Sequence, residues 1–163
     1  MTDLDRRAAL LTLARGGCAL ATLGAGCGGD WREAIVLDPP PEGASCSDLP
    51  QPGTAAAGWV EVRLEDHPGL ASPGGHARVH VPEALLDVLL VHTTPGCFVA
   101  LWRICTHGDC GVDWRPGEGV VECPCHGSRF ALDGAVLQGP ARRPLAAFTA
   151  VRQGASVFIH RPR

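Results

Sequence analysis

Between Trp59 and His160 the chain is written in short apolar or alternating runs bounded by Gly and Pro. Trp59-Val-Glu-Val-Arg-Leu64, Ala77-Arg-Val-His-Val81, Cys97-Phe-Val-Ala-Leu-Trp102 and Gly119-Val-Val-Glu-Cys123 are of this type, and such runs predict β-strands. Asp133-Gly134, between Phe130-Ala-Leu132 and Ala135-Val-Leu137, predicts a hairpin because both turn residues tolerate positive φ. Gln153-Gly154 predicts a second one, folding Phe148-Thr-Ala-Val-Arg152 back onto Ser156-Val-Phe-Ile-His160. Leu85 to Val91 is apolar almost without interruption, so periodicity leaves a strand and a buried helical turn equally open. With 21 Gly, 14 Pro and 5% aromatic residues in 163, the composition points to a turn-rich, all-β chain, and 45% apolar content suffices for one core.

The N-terminal third is built differently. Residues 1–29 open with Asp5-Arg6-Arg7 and continue into an apolar, small-residue stretch from Ala8 to Gly29, interrupted by Arg15. This resembles a bacterial twin-arginine (Tat) export signal, with Ala9 where Phe is usual. Twenty residues from Ala8 to Cys27 are nominally enough to cross a bilayer, but Arg15 costs roughly 2.5–3.5 kcal/mol near the centre of a span. Gly24-Ala-Gly-Cys27 also resembles a lipoprotein cleavage box, which makes Cys27 a candidate lipidation site. Cleavage, lipidation and a retained anchor stay open. Residues 30–57, with Asp38-Pro-Pro-Pro41 and Leu49-Pro-Gln-Pro-Gly53, predict an extended linker, and residues 58–163 the folded domain.

Charge excludes one class of partner. The net charge is −3 and the cations are scattered Arg with no Lys, which argues against nucleic acid. Eight cysteines, by contrast, suggest both metal chemistry and exposure to an oxidising compartment.

The cysteines converge with histidines in two places, Cys105-Thr-His107 and Cys123-Pro-Cys-His126, each following a predicted strand. Loops at one end of a sheet would then present two soft thiolates and two imidazoles together. That donor set predicts a [2Fe–2S] cluster with Cys105 and Cys123 on one iron and His107 and His126 on the other. A tetrahedral zinc site uses the same residue types, but usually with C-x2-C spacing rather than the C-x-H spacing of Cys105 and His107. Convergence of the loops should also bring Cys110 and Cys125 within the roughly 5.5–6 Å Cα separation of a disulfide. Cys46 and Cys97 could pair, or Cys97 could be a buried apolar filler. His67, His76, His80, His92 and His160 have no ligand spacing and are read as surface or satisfied side chains, and Trp102 and Trp114 as packing.

Cys105-Thr-His-Gly-Asp-Cys110 and Cys123-Pro-Cys-His-Gly-Ser128 resemble the two boxes of the Rieske iron–sulfur proteins, in the disulfide-containing branch, over about the last 105 residues. Gly139-Pro-Ala141 and Pro144-Leu145 resemble the proline loop that covers the cluster there. The resemblance implies a Rieske-type antiparallel β-sandwich with a small rubredoxin-like cluster-binding subdomain, holding one [2Fe–2S] cluster per chain. It implies that Ser128 donates a hydroxyl hydrogen bond to a bridging sulfide, and that Phe130 stands where high-potential members carry a Tyr. The expected potential therefore lies inside the span of roughly −150 to +300 mV, below the members with both hydroxyls.

The implied function is electron transfer, as an exported or membrane-attached subunit of a respiratory oxidoreductase of the ubiquinol–cytochrome c reductase kind, rather than catalysis by this chain alone. The expected partner is a cytochrome b/c or molybdopterin subunit, on the periplasmic side of the bacterial cytoplasmic membrane or in the periplasm. Gly108-Asp109 replaces the apolar Leu-Gly that quinol-oxidising members place after the first His, so two alternatives are kept: the small subunit of an arsenite-oxidase-like molybdenum enzyme, and a stand-alone periplasmic carrier.

Overall fold

The structure is a computed structural model in which Cys46 and residues 49–162 are described. The expected leader of residues 1–29, its candidate lipidation site Cys27 and most of the expected linker lie outside the described residues. Among the described residues no helix is long and apolar enough to cross a membrane.

Ten strands follow one another: β1 (Trp59–Arg63), β2 (His76–Val81), β3 (Leu86–His92), β4 (Phe98–Trp102), β5 (Asp113–Arg115), β6 (Val120–Glu122), β7 (Arg129–Phe130), β8 (Val136–Gln138), β9 (Ala147–Gln153) and β10 (Ser156–His160). They form a six-stranded antiparallel sheet ordered β1-β10-β9-β4-β3-β2 and a four-stranded one ordered β5-β6-β7-β8. The all-β expectation holds. The small sheet is an insertion between β4 and β9, two strands that pair directly in the large sheet.

The ambiguous run resolves as β3, and its burial shows why its pattern could not be read. Every β3 residue except Asp87 is buried. Leu86, Val88 and Leu90 face one apolar cluster, with Val79, Phe98, Ala100, Phe148, Val157 and Ile159. Leu89 and Val91 face another, formed with Leu101, Val112, Trp114, Val121 and Phe130. A strand between two cores has no polar face, so the period-2 signal disappears. The second core joins the sheets, and Cys105 and Cys123 belong to it.

The predicted hairpins need small corrections. Around Asp133-Gly134 the ladder runs Arg129↔Gln138 and Phe130↔Val136 with a register shift between the two pairs; the first strand ends at Phe130 rather than Leu132, and the second starts at Val136, one residue later than expected. Gly134 has φ 88°, and a Cβ there would collide with the Leu145 carbonyl, so the turn needs Gly for both reasons. In the last hairpin Gln153 pairs with Ser156, which makes Gly154 and Ala155 the loop rather than Gln153 and Gly154. Strand β5 was not predicted: three residues with one apolar side chain, Trp114, carry no usable alternation.

Candidate metal centre

Both chemistry-bearing loops lie at one end of the four-stranded sheet, for a reason the strand order supplies. The first loop leads into β5 and the second leaves β6, and the antiparallel register sets Asp113 opposite Glu122. It is the strand after the first loop, not the strand before it, that aligns the two, because β4 belongs to the large sheet. The base of the first loop is clamped to β3: Arg103 donates through Nε and Nη2 to the two Asp87 carboxylate oxygens at 2.7 and 2.8 Å, and Arg103 N–H donates to the Asp87 carbonyl at 3.0 Å. The Asp87 hydrogen bond raises the Arg103 pKa further above its already high ordinary value.

Each loop closes on itself through backbone hydrogen bonds. Cys105 N–H donates to the Cys110 carbonyl at 2.8 Å, Cys123 N–H to the Ser128 carbonyl at 2.8 Å and Gly127 N–H to the Cys123 carbonyl at 3.0 Å. Gly127, with φ 74°, makes the reversal between His126 and Ser128 that the second of these needs. A Cys110–Cys125 disulfide, with Cα atoms 6.4 Å apart, joins the loops. It closes a separation of 15 residues and contributes on the order of 3 kcal/mol in the chain-entropy model.

The loops present their donors asymmetrically. Cys105 and Cys123 are free thiols, 4% and 1% exposed, whereas the His107 and His126 rings are exposed and meet edge to face with centroids 4.8 Å apart. Burial pushes the Cys123 thiol up, and the neighbouring Cys105 side chain adds to this by hydrogen bond and charge; the backbone N–H groups of Cys125 and His126 donate to the sulfur and oppose it. Ionising two adjacent buried thiols is costly unless a cation lies against them, and amide donors aimed at the sulfur stabilise the thiolate form. The sulfurs of Cys110, Cys123 and Cys125 lie within 4.8 Å of one another, but two of them are consumed in the disulfide, so Cys123 alone of that trio keeps a thiol. The residues therefore fit an iron–sulfur group bound by thiolate inside and imidazole outside.

A third segment, Gly139 to Leu145, lies across both loops. Ala141 N–H donates to Ser128 Oγ at 3.0 Å and Thr106 Oγ1 donates to the Arg143 carbonyl at 2.6 Å; just before the segment, at the end of β8, Gln138 Nε2 donates to the Gly127 carbonyl at 3.2 Å. Ser128 is fully buried and accepts in its contact with Ala141, and a hydroxyl can also donate one bond of its own. Phe130 is fully buried in the same core as the two thiols. Sequence reasoning missed the amide donors to Cys123 and the Thr106–Arg143 contact, since backbone geometry and a bond across 37 residues leave no motif.

The remaining residues sort plainly. Cys46 and Cys97 form a second disulfide, with Cα atoms 5.6 Å apart, which settles the choice left open for Cys97. His92 is buried against Phe98 with Nδ1 donating to the Leu70 carbonyl at 2.9 Å, but its Nε2 has no partner, so it is only half satisfied. His160 stacks on Trp59, and His80 stands 4.0 Å from Asp87 at the surface. Trp114 packs beside the thiols and donates to the Gly74 carbonyl at 3.2 Å, while Trp102 tilts against Phe148.

Comparison with known proteins agrees with this geometry. The Rieske [2Fe-2S] domain family matches residues 60–149, more than half of the chain. A cytochrome b6-f complex iron-sulfur subunit of Synechococcus sp. (strain JA-3-3Ab) is 46% identical over 54 residues, 33% of this chain and 31% of that protein. The corresponding subunit of Chlorobaculum thiosulfatiphilum is 34% identical over 73 residues, 45% of this chain and 40% of that protein. These matches span well under half of the relatives' length. Among solved structures, the cyanobacterial plasma membrane Rieske protein PetC3 from Synechocystis PCC 6803 superposes with a TM-score of 0.51 at 29% identity, over 63% of this chain and 99% of that one. Paired thiols inside, paired imidazoles outside, a disulfide between the loops and a family match across them lead to one conclusion: the chain belongs to the Rieske [2Fe-2S] family.

Proposed function

We propose that this chain is a one-electron carrier in which Cys105 and Cys123 ligate the inner iron and His107 and His126 the outer iron of a [2Fe–2S] cluster. The observation that carries the reading is the pair of buried thiols beneath two exposed imidazole rings 4.8 Å apart. When bound, the cluster supplies reversible one-electron chemistry. The chain's own residues hold the thiolates away from water, direct the Cys125 and His126 amides at one sulfur and keep the imidazoles at the surface, where a partner can approach. Ser128 tunes the potential through its hydroxyl, and Phe130 withholds the donor that a Tyr would add.

In the cell, the carrier serves as an exported or membrane-attached subunit of a respiratory oxidoreductase, handing electrons to or from a cytochrome b/c subunit at the periplasmic side. Supporting this are the relatives that are cytochrome b6-f subunits, the likeness to a plasma membrane Rieske protein, and the Tat-like leader. A second reading, the electron-relay subunit of a molybdenum oxidoreductase or a stand-alone periplasmic carrier, is favoured by Gly108 and Asp109, both exposed beside His107 where an apolar tip would suit a membrane pocket.

Purified protein should contain two irons and two acid-labile sulfides per chain in the ratio the cluster demands, and its reduced form should give the EPR signal of an asymmetrically ligated [2Fe–2S] centre. A colourless protein loaded with zinc, or an unchanged signal after His107→Ala and His126→Ala together, refutes the assignment. Copurification from native membranes with a cytochrome b or with a molybdopterin subunit decides between the two physiological readings.

A further inference from the structure

The Cys46–Cys97 bond ties the approach to the domain onto a strand that the approach does not pair with. Cys97 is fixed just before β4: its N–H donates to the Thr94 carbonyl at 2.8 Å, and its carbonyl accepts from Thr93 N–H at 2.9 Å and Thr93 Oγ1 at 3.2 Å. Cys46 precedes β1, and in the large sheet β9 and β10 separate β4 from β1. Both cysteines are half-buried and belong to neither apolar core, whereas Cys110 packs against the second one.

Between Cys46 and β1 the described chain is hydrogen-bonded only near the strand. The Thr54 carbonyl accepts from Ala57 N–H at 2.9 Å and Trp59 N–H at 3.3 Å, and His160 Nε2 meets the Ala57 carbonyl at 3.2 Å. Gly53 lies so close to the Trp59 ring that a Cβ there would meet it at 2.9 Å. Leu49 to Pro52, by contrast, make no hydrogen bond among the described residues and contribute to neither core, and Pro50 and Gln51 are exposed. Two prolines keep such a stretch extended without docking it.

We propose that Cys46–Cys97 is a thiol-exchangeable latch that sets where the N-terminal segment leaves the domain. Closed, the exit is Cys97 at the foot of β4; open, it is Gly53 beside β1. The seven residues from Cys46 to Gly53 then join the free chain, about 20 Å of it at about 3.1 Å per residue. Opening unpacks neither core, so the domain and its metal centre stay folded. The co-reactant is a protein dithiol: its thiolate attacks one sulfur of the bond, the other departs with the bonding pair and takes up a proton, and the second thiol of the reductant frees the cysteine left in the mixed disulfide. One S–S bond breaks, one forms, and the dithiol is oxidised by two electrons. The use of the latch rests on the electron-carrier reading, since in an exported or membrane-attached carrier the free chain length sets how far the cluster travels.

The test uses the full holoprotein with a dye coupled at Glu42 through an azide-bearing amino acid, its fluorescence quenched by energy transfer to the cluster. Replacing Cys46→Ser together with Cys97→Ser should weaken the quenching at least about twofold, as the longer free chain carries the dye away. Reduced thioredoxin, the dithiol probe, should do the same to the parent, leave both cysteines open to alkylation as read by mass spectrometry, and be reversed by oxidised glutathione. Thioredoxin added to the double variant should change nothing further. Unchanged quenching in the double variant, meaning that Leu49 and Pro52 hold the strap without the bond, overturns the proposal. So does a parent whose Cys46 and Cys97 resist thioredoxin, or a double variant that still responds to it, which would assign the response to Cys110–Cys125. Absence of the EPR signal in the parent would remove the electron-carrier reading, while alkylation of Cys46 and Cys97 would still report on the latch.

Discussion

Ser128 shows how one side chain serves two structures at once. Its oxygen accepts the Ala141 N–H, and its carbonyl accepts the Cys123 N–H, so removing the hydroxyl orphans a buried amide as well as any bond toward the cluster. Ser128→Ala should lower the reduction potential and cost about 1–3 kcal/mol of stability, measured by protein-film voltammetry and by chemical denaturation. Loss of stability with no change of potential would confine Ser128 to holding the loop. Phe130, two residues later in β7 and fully buried, makes the opposite case. Phe130→Tyr should raise the potential by about 40 mV if the added hydroxyl contributes about 1 kcal/mol more to the reduced form, since a tenfold change in a one-electron equilibrium is about 59 mV. An unchanged or lower value refutes that tuning argument.

Elements explain why these residues hold their places. The site stands at the junction of two sheets, where β3 packs on both faces and Asp87, its half-buried exception, binds Arg103 at the root of the first loop. Asp87→Ala should cost about 1–3 kcal/mol by leaving a partly buried guanidinium without its bidentate partner, and should broaden the EPR lines as the loop loses its fixed base. The two disulfides separate by scale and should separate in experiment. Cys110–Cys125 closes 15 residues across the site itself, so its removal should cost about 3 kcal/mol and shift the potential. Cys46–Cys97 closes 51 residues and joins the segment before the domain to the start of β4, so Cys46→Ser with Cys97→Ser should cost roughly 4 kcal/mol in denaturation and leave the potential where it was.

At the level of the whole molecule, the family match and the fold do not end together. The match stops at residue 149, inside β9, yet β10 is central: it lies between β1 and β9 and buries Val157 and Ile159 completely. Beyond it Arg161 N–H still bonds to the Gly58 carbonyl at 2.8 Å, tying the segment after β10 to the residue before β1. Truncation after Gln153 should therefore unpair β1, open the first core and yield protein without cooperative unfolding in circular dichroism. A truncated chain that unfolds cooperatively near the parent's midpoint would show that β2–β4, β9 and the inserted small sheet suffice without β10.

How much of this was legible beforehand depended on how local each cause is. Ligand-type residues, the strand runs, the Asp133-Gly134 turn and the Cys110–Cys125 pairing could be read from the chain because spacing, turn chemistry and periodicity act over a few residues, or over one pair of converging loops. The identity of β3 could not be read, because burial on two faces erases the alternation that marks a strand, nor could β5, which is too short to have one. Only tertiary structure decided that the two loops align through the β5–β6 register, that Cys46 reaches Cys97, and that Ala141 and Arg143 tie the covering segment to both imidazole loops. Those are consequences of which strands neighbour one another across long separations, and no local preference of the backbone encodes a neighbour.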